Sequence, residues 1–226
     1  MKVIYHGHAC LTVVVGGKVL LFDPFITGNP LAKNTDAEKV AADFILVSHG
    51  HGDHVGDAVA IARRTGALVI ANYEVATWLN KNGAPKVHPL NHGGSCRFDF
   101  GRVKFVNAIH SSTMPDGAFG GNPGGFVVES AEGSFYFSGD TALTMDMKLI
   151  GESTKLKFAA LCIGDNYTMG ADDAVKAANF IRCDEILGIH FDTFPPITID
   201  HAATKEKFRA AGKTLHLLHP GETRDF

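Results

Sequence analysis

Three histidines and one aspartate lie within six positions of one short stretch, Ser48-His49-Gly50-His51-Gly52-Asp53-His54. Neutral imidazole and carboxylate are standard ligands for zinc, manganese, iron and cobalt. The apolar run at residues 44–47, just before the stretch, predicts a buried strand, so these side chains would lie where that strand opens into a loop. The stretch therefore predicts a metal-binding site.

Backbone preferences suggest how this stretch divides its ligands. Side chains two positions apart in extended backbone point the same way, which places His49 and His51 together. The intervening glycines permit a tight turn that would bring Asp53 and His54 round to a second ion. The next segment, residues 55–64, is predicted to be helical, so the ligands would sit on a rigid frame open to substrate.

Other residues of metal-ligating types follow apolar, strand-like segments further along the chain. These are His110, Asp140 and His190. Each is weak evidence alone, because one histidine at a strand end is unremarkable and Gly-Asp is a common turn. All three would nevertheless fall at the carboxyl ends of strands, as His49 does, and this coincidence makes them candidate ligands.

The remaining histidines and the first strand-end aspartate have more ordinary interpretations. His6 and His8 share the two-residue spacing, but solvent-exposed strand ends are the favoured interpretation for both. His88 and His92 have no partner at ligand spacing and are interpreted as structural or exposed. Asp23 closes a predicted hairpin, where it could cap a turn or hydrogen-bond the free ring nitrogen of a ligand histidine.

Composition sets the broad class. The 226 residues are 45% hydrophobic, enough for a substantial core, and the net charge of -3 with 21 Lys plus Arg argues against a dedicated nucleic-acid binder. No apolar run approaches the ~20 residues that span a bilayer, and no signal peptide is recognisable, so a cytoplasmic protein without a membrane partner is expected. The four cysteines are far apart without a CxxC pair, which favours reduced thiols that mostly pack in the core.

The predicted elements follow one plan twice. Each half of the chain begins with antiparallel strands and continues with alternating strands and helices, which suggests two packed sheets with helices outside. In the second half, Asp172 and Asp200 are predicted to cap helices, and residues 215–218 are predicted to form the final strand. Residues 1–226 are expected to form one domain.

The chain resembles the metallo-β-lactamase-fold hydrolases in the order and spacing of four motifs. These are HxHxDH, a later strand-end His, Ser-Gly-Asp and Gly-Ile-His. The resemblance covers essentially the whole chain. It implies an α/β fold, a four-layer αββα sandwich with the site at one edge of the two sheets.

The resemblance also implies a ligand assignment for two divalent ions, with zinc or manganese favoured and iron, cobalt or nickel as alternatives. One ion would be held by His49, His51 and His110. The other would be held by Asp53, His54 and His190. Asp140 would bridge the two ions.

Three further segments resemble a subgroup of small metal-dependent hydrolases that is similar to the ascorbate-6-phosphate lactonases and, more distantly, to phospholipase-D-type members. They are residues 7–10, 164–170 and 190–195. This resemblance makes His8 a candidate for the pocket wall, and Asp165 and Asn166 candidates for substrate or supporting contacts. It also allows a homo-oligomer, although no sequence feature indicates one.

The expected chemistry is hydrolysis of a small ester, lactone or phosphodiester by a hydroxide that bridges the two ions. Asp53 would orient this nucleophile and carry a proton to the leaving group, while Asp23 would fix a ligand imidazole. Two alternatives remain on the same fold. One is an iron-dependent oxidoreductase, although oxygen-reducing di-iron members of the family usually carry Glu at the position of His51. The other is a nuclease, although no basic or aromatic groove that could bind a nucleic-acid strand is apparent.

Overall fold

Antiparallel hairpins begin each half of the molecule, and parallel strands complete it. The computed structural model describes residues 1–226. The first sheet contains β1 (Lys2–Gly7), β2 (Cys10–Val15), β3 (Lys18–Phe22), β4 (Phe44–Leu46), β5 (Leu68–Asn72), β6 (Val87–Leu90) and β14 (Thr223–Asp225). Its strand order is β14-β1-β2-β3-β4-β5-β6, antiparallel from β14 to β3 and parallel from β3 to β6.

The second sheet repeats this plan. It contains β7 (Ser95–Phe98), β8 (Gly101–Asn107), β9 (Gly124–Ser130), β10 (Gly133–Phe137), β11 (Leu156–Cys162), β12 (Glu185–Ile189) and β13 (Thr214–His216). The order is β13-β12-β11-β10-β9-β8-β7, antiparallel from β7 to β10 and parallel from β10 to β13. The predicted two-sheet plan is confirmed.

Six helices connect or cover the parallel strands. They are α1 (Gly52–Val55), α2 (Ala58–Thr65), α3 (Tyr73–Lys81), α4 (Met147–Ser153), α5 (Ala171–Phe180) and α6 (His201–Ala210). A short 3-10 helix, Pro195–Ile197, precedes α6. Helix α2 ends at Gly66, whose left-handed φ of 73° suits glycine.

Aromatic side chains fill the space between the sheets. Phe22 on the first sheet packs against Phe126, Phe135 and Phe137 on the second, with ring centroids 4.9–6.2 Å apart. A second buried cluster lies where α2 and α3 cover the outer face of the first sheet, and it includes Ile45 and Leu79. Both sheets are therefore anchored close to the strand ends that carry the candidate ligands.

Several details differ from the sequence prediction. The segment predicted as the final strand is β13, and the last strand is β14, which returns to pair with β1. Strand β7 and helix α4 were not predicted; α4 contains Gly151, which weakens the helical signal but allows close packing against the end of α5. Asp172 lies in the first turn of α5, whose N-cap is Gly170, whereas Asp200 caps α6 by accepting from the Ala203 amide at 3.0 Å, as predicted.

Candidate metal centre

The candidate ligands meet at one edge of the sandwich because they follow the carboxyl ends of strands that run to that edge. The HxHxDH stretch follows β4 and runs into α1. His110 follows β8, Asp140 follows β10 and His190 follows β12. The structure therefore brings together all seven residues that the resemblance assigned as ligands.

These side chains form two adjacent groups. The ligand atoms of His49, His51 and His110 lie within 4.8 Å of one another, and His49 Nε2 is 3.0 Å from His51 Nδ1. Asp53, His54 and His190 form the other group, again within 4.8 Å of one another, and a ring nitrogen of His8 lies within the same distance of all three.

Asp140 lies between the two groups. Its Oδ2 is 3.6 Å from His110 Nε2 in the first group. The same oxygen is 3.3 Å from His54 Nε2 and 2.9 Å from His190 Nε2 in the second. Its other oxygen, Oδ1, is buried without a hydrogen-bond partner. A carboxylate in this position can contact cations on both sides.

Asp23 orients one histidine in each group. This fully buried carboxylate accepts hydrogen bonds from the Ser48 amide at 2.7 Å, the Ser48 hydroxyl at 2.6 Å and His54 Nδ1 at 2.7 Å. Because the Ser48 hydroxyl donates to Asp23, its oxygen accepts from His49 Nδ1 at 2.9 Å. Both His49 and His54 therefore keep the lone pair of Nε2 for a ligand, which is how a supporting carboxylate orients metal-binding imidazoles.

The donor set fits divalent cations. Imidazole nitrogens and carboxylate oxygens suit zinc, manganese, iron, cobalt and nickel. His54 Nε2 and Asp140 Oδ1 are buried polar atoms without hydrogen-bond partners, and such atoms are costly unless a water or an ion satisfies them. A cation beside Asp140 would satisfy both.

The electrostatics of the site favour positive charge at the same place. Burial lowers the pKa of His54, but the carboxylates of Asp140 and Asp23 outweigh burial and raise it well above the usual range. Burial raises the pKa of Asp140, but His54 and His190 outweigh it and hold that pKa well below normal. The two carboxylates would thus stabilise a cation that took the place of the His54 proton.

His8 is buried beside the second group, so its interpretation as a solvent-exposed strand end is wrong. Its side chain is 0% exposed and hydrogen-bonds through Nε2 with Asp53 Oδ2 at 3.1 Å and through Nδ1 with the Thr193 hydroxyl at 2.8 Å. Burial lowers its pKa to about 4, which keeps the ring neutral. His8 has a left-handed φ of 59°, and its carbonyl accepts from the His190 amide at 2.8 Å. These contacts connect His8 with both sheets.

Asp53 lies at the open side of the second group, with 30% of its side chain exposed. Burial raises the pKa of its carboxyl, but the hydrogen bond from His8 and the charge of His54 outweigh burial and lower it below the usual value. Asp53 is therefore an ionised, partly accessible carboxylate.

Asp165 and Asn166 lie outside the cavity that the ligands line. They border a larger cavity of about 720 Å³ beside the first turns of α5 and α6, which contains none of the candidate ligands. The residue after them, Tyr167, lines the ligand cavity together with Ser111. Sequence reasoning assigned no role to Tyr167, Ser111 or Thr193. The hydroxyls of Ser111 and Thr193 have no local signal, because their histidine partners lie 60 and 185 positions away in the chain.

The other histidines lie apart from the two groups. His6 is buried and hydrogen-bonds with the Thr12 hydroxyl at 2.8 Å, so its exposed interpretation is also wrong. His88 and His92 are partly buried; His92 contacts the Pro123 carbonyl at 2.9 Å, in agreement with a structural role.

The cysteines are unpaired, as expected from their spacing. Cys10, Cys162 and Cys183 are buried, whereas Cys96 is partly exposed. Burial raises the pKa of Cys162 and of Cys183 to about 11, so both remain thiols at neutral pH.

Comparison with known proteins identifies the family. A model described as a beta-lactamase superfamily domain matches residues 18–191. A UPF0173 metal-dependent hydrolase of Flavobacterium johnsoniae is 54% identical over 223 residues, which cover 99% of both proteins. The chain belongs to the UPF0173 metal-dependent hydrolases. A relative with the same description in Christiangramia forsetii is 53% identical over 224 residues, again covering 99% of both.

Solved structures confirm the fold of this metal-dependent hydrolase. The metallo hydrolase Igni18 of the archaeon Ignicoccus hospitalis superposes with a TM-score of 0.89 at 34% identity, covering 100% of this chain and 98% of that one. An isothiocyanate hydrolase from Delia radicum gut bacteria shares the fold at 19% identity, with a TM-score of 0.79 over 100% and 99% of the two chains. The αββα sandwich expected from HxHxDH and its later landmarks is therefore confirmed.

None of the six helices of the hydrolase has the length and apolar character needed to cross a bilayer.

Proposed function

We propose that this metal-dependent hydrolase uses two divalent ions to cleave a small ester, lactone or phosphodiester. The observation that carries the proposal is the convergence of two groups of ligand atoms on Asp140, where buried His54 Nε2 and Asp140 Oδ1 have no hydrogen-bond partner. Two adjacent groups of ligand atoms on either side of one carboxylate support the binding of two ions more directly than the binding of a single ion.

The two groups define which residues would hold each ion. His49, His51 and His110 would hold one ion. Asp53, His54 and His190 would hold the other, and Asp140 would contact both. When bound, a pair of zinc or manganese ions lowers the pKa of a water molecule towards neutrality and stabilises negative charge that develops on the substrate oxygen.

Asp53 is the group of this chain that handles protons. Its partly exposed side chain lines the cavity, so it can orient the attacking water, accept its proton and deliver that proton to the leaving group. His8, fixed by Thr193, holds Asp53 Oδ2 in place. Ser111 hydrogen-bonds with His51 Nε2 at 3.3 Å, which leaves His51 Nδ1 to face the first ion.

The charge of the side chains around the ligands supports a small-molecule partner over a nucleic acid. The space beside the ligands measures about 180 Å³ and has no lysine or arginine in its lining. A nucleic-acid strand needs a cationic groove along its backbone, so these features favour a small ester, lactone or phosphodiester over a nuclease substrate.

Metal content and metal-dependent hydrolysis test the proposal together. Protein purified without a chelator or a tag is expected to contain about two equivalents of zinc or manganese. Removing the metal should abolish hydrolysis of a lactone, an aryl ester and a generic phosphodiester, and restoring it should recover at least one of these activities. Iron together with oxygen consumption and no hydrolysis would instead establish the oxidoreductase alternative.

A further inference from the structure

The turn between the first two histidines of HxHxDH packs directly on the segment that follows His110. Gly50 forms this turn, and a Cβ atom there would lie 2.5 Å from the Met114 sulfur and 3.3 Å from the Ser112 hydroxyl oxygen. Only a residue without a side chain lets the two segments approach this closely. The three histidines assigned to the first ion are therefore carried by two segments in direct backbone contact.

The side chain of Ser112 joins these two segments. Its Oγ accepts a hydrogen bond from the Gly50 amide at 3.0 Å and donates one to the Gly120 carbonyl at 2.8 Å. Ser112 is 7% exposed, and Gly50 is also buried. Loss of the hydroxyl would leave the Gly50 amide buried without its partner, which is more costly than losing an exposed hydrogen bond.

The Gly120 carbonyl that orients the Ser112 hydroxyl is itself fixed. Asn72 Nδ2 donates to this carbonyl at 2.8 Å, and Asn72 Oδ1 accepts from the Val75 amide at the start of α3 at 2.8 Å. The Gly120 amide donates to the Ser112 carbonyl at 2.9 Å. Because the hydroxyl proton is directed to a fixed carbonyl, a lone pair of Oγ is directed to the Gly50 amide.

The contact made by Ser112 differs in kind from the other supporting contacts of the first group. Ser48 and Ser111 hydrogen-bond with ring nitrogens of His49 and His51, so they act on the orientation of the imidazoles. Ser112 instead binds the backbone between these two histidines. It therefore sets where the pair lies relative to the third histidine of the group, which begins the segment that contains Ser112.

We propose that Ser112 is a positioning residue for the first ion. Through the Gly50 amide it holds His49 and His51 at the separation from His110 that a shared ion requires. The inference rests on the proposed two-ion function. Ser112 makes no hydrogen bond with a ligand of the second group, so its contribution should be confined to the first ion.

Ser112→Ala tests this role, because it removes one oxygen atom and adds no bulk. Loss of partners that support metal ligands lowers metal affinity by about 10- to 100-fold, and the first ion should bind about tenfold more weakly in this variant. Affinity for the second ion should not change. Cobalt(II) titration of the metal-free protein, followed by visible absorption, measures both affinities. His110→Ala, which lacks a ligand of the first ion only, identifies the absorption that belongs to that ion.

Thr12→Val is the matched control. It removes another buried hydroxyl, which hydrogen-bonds with His6 Nε2 at 2.8 Å and with none of the candidate ligands. Both Ser112→Ala and Thr12→Val should lower the thermal unfolding midpoint of the metal-free protein, since each loses a buried hydrogen bond. Only Ser112→Ala should lower the affinity for cobalt(II), and only at the first ion.

The outcomes separate this inference from the proposed function. If Ser112→Ala binds both ions as tightly as the parent, or weakens both equally, Ser112 has a structural role only and the inference is wrong. An equal loss of affinity in Thr12→Val would overturn it as well. If the parent itself binds no ion through His49, His51 and His110, the proposed two-ion function fails, and this inference fails with it.

Discussion

The two sheets contribute to the metal centre in different ways. The first sheet supplies four candidate ligands from the single stretch that follows β4 and runs into α1, and Asp23 and Ser48 hold two of these histidines through buried hydrogen bonds. The second sheet supplies one ligand from each of three separate loops. His110 follows β8, which has antiparallel neighbours; Asp140 follows β10, which has one antiparallel and one parallel neighbour; and His190 follows β12, which has parallel neighbours.

The ligands of the first sheet are therefore positioned by local contacts, whereas those of the second sheet depend on how the two sheets pack. The ligands of the first sheet keep their spacing because covalent structure and the Asp23 hydrogen bonds fix them. His110, Asp140 and His190 meet them only when the second sheet packs against the first, since these three ligands lie on separate loops far apart in the chain. Second-sheet ligands complete each of the two proposed ion sites, so metal binding should stabilise the contact between the sheets.

Asp53→Ala should have the largest effect on the function of the first-sheet stretch. Loss of this carboxylate removes a proposed ligand of the second ion and the proton carrier, so kcat should fall by about 10³-fold or more. Metal analysis should find the second ion weakened while the site of His49, His51 and His110 stays filled. Steady-state kinetics at saturating metal, together with metal titration, measure both effects.

Cys162→Ala is the control for this variant. Cys162 is fully buried on β11 and belongs to neither ligand group, so its loss should leave turnover unchanged. Unchanged turnover in Asp53→Ala would contradict the role assigned to Asp53.

Asp23→Asn should have a smaller effect that reaches both ion sites. An amide cannot accept from the Ser48 amide, the Ser48 hydroxyl and His54 together as the carboxylate does, so His49 and His54 lose their fixed orientation. Loss of such a supporting partner lowers metal affinity by about 10- to 100-fold. Competition with a chromophoric chelator measures the metal affinity of both ion sites.

Asp57→Asn provides the matched comparison. Asp57 is also a buried carboxylate of the first sheet's loops, and it accepts from the Ile26 and Thr27 amides at 2.7 and 2.9 Å, away from the ligands. It should lower stability without lowering metal affinity. Equal losses of affinity in the two variants would show that Asp23 acts through general stability rather than through ligand orientation.

The same contrast explains what could be predicted from the sequence. HxHxDH is recognisable because its ligands are close in the chain, whereas the second-sheet ligands became convincing only through the family resemblance. Thr193 is 185 positions from His8, so neither its contact nor the burial of His8 has a local signal. Strand β14 was missed for a related reason: it is short and exposed, and its partner β1 lies at the other end of the chain.

Burial beside carboxylates and burial without them shift the pKa of a histidine in opposite directions. His54, between Asp23 and Asp140, has a raised pKa, whereas burial of His6 without a carboxylate partner lowers its pKa from 6.5 to about 4. Between pH 6.5 and 4 the unfolded chain therefore binds a proton at His6 that the folded chain excludes. The free energy of unfolding falls as the pH decreases through this window, and below it both states are protonated and the loss stops.

His6→Gln should remove this pH dependence, and it is the smallest of the expected effects. Urea unfolding of the metal-free protein at pH 7 and at pH 4.5 should show that the parent loses up to about 3 kcal/mol more than His6→Gln over this interval. Both proteins keep every other histidine, so the difference isolates His6. If the free energy of unfolding fell equally with pH in the two proteins, the buried His6 imidazole would be protonated in the folded state. The contrast with His54 would then not depend on the presence of carboxylates.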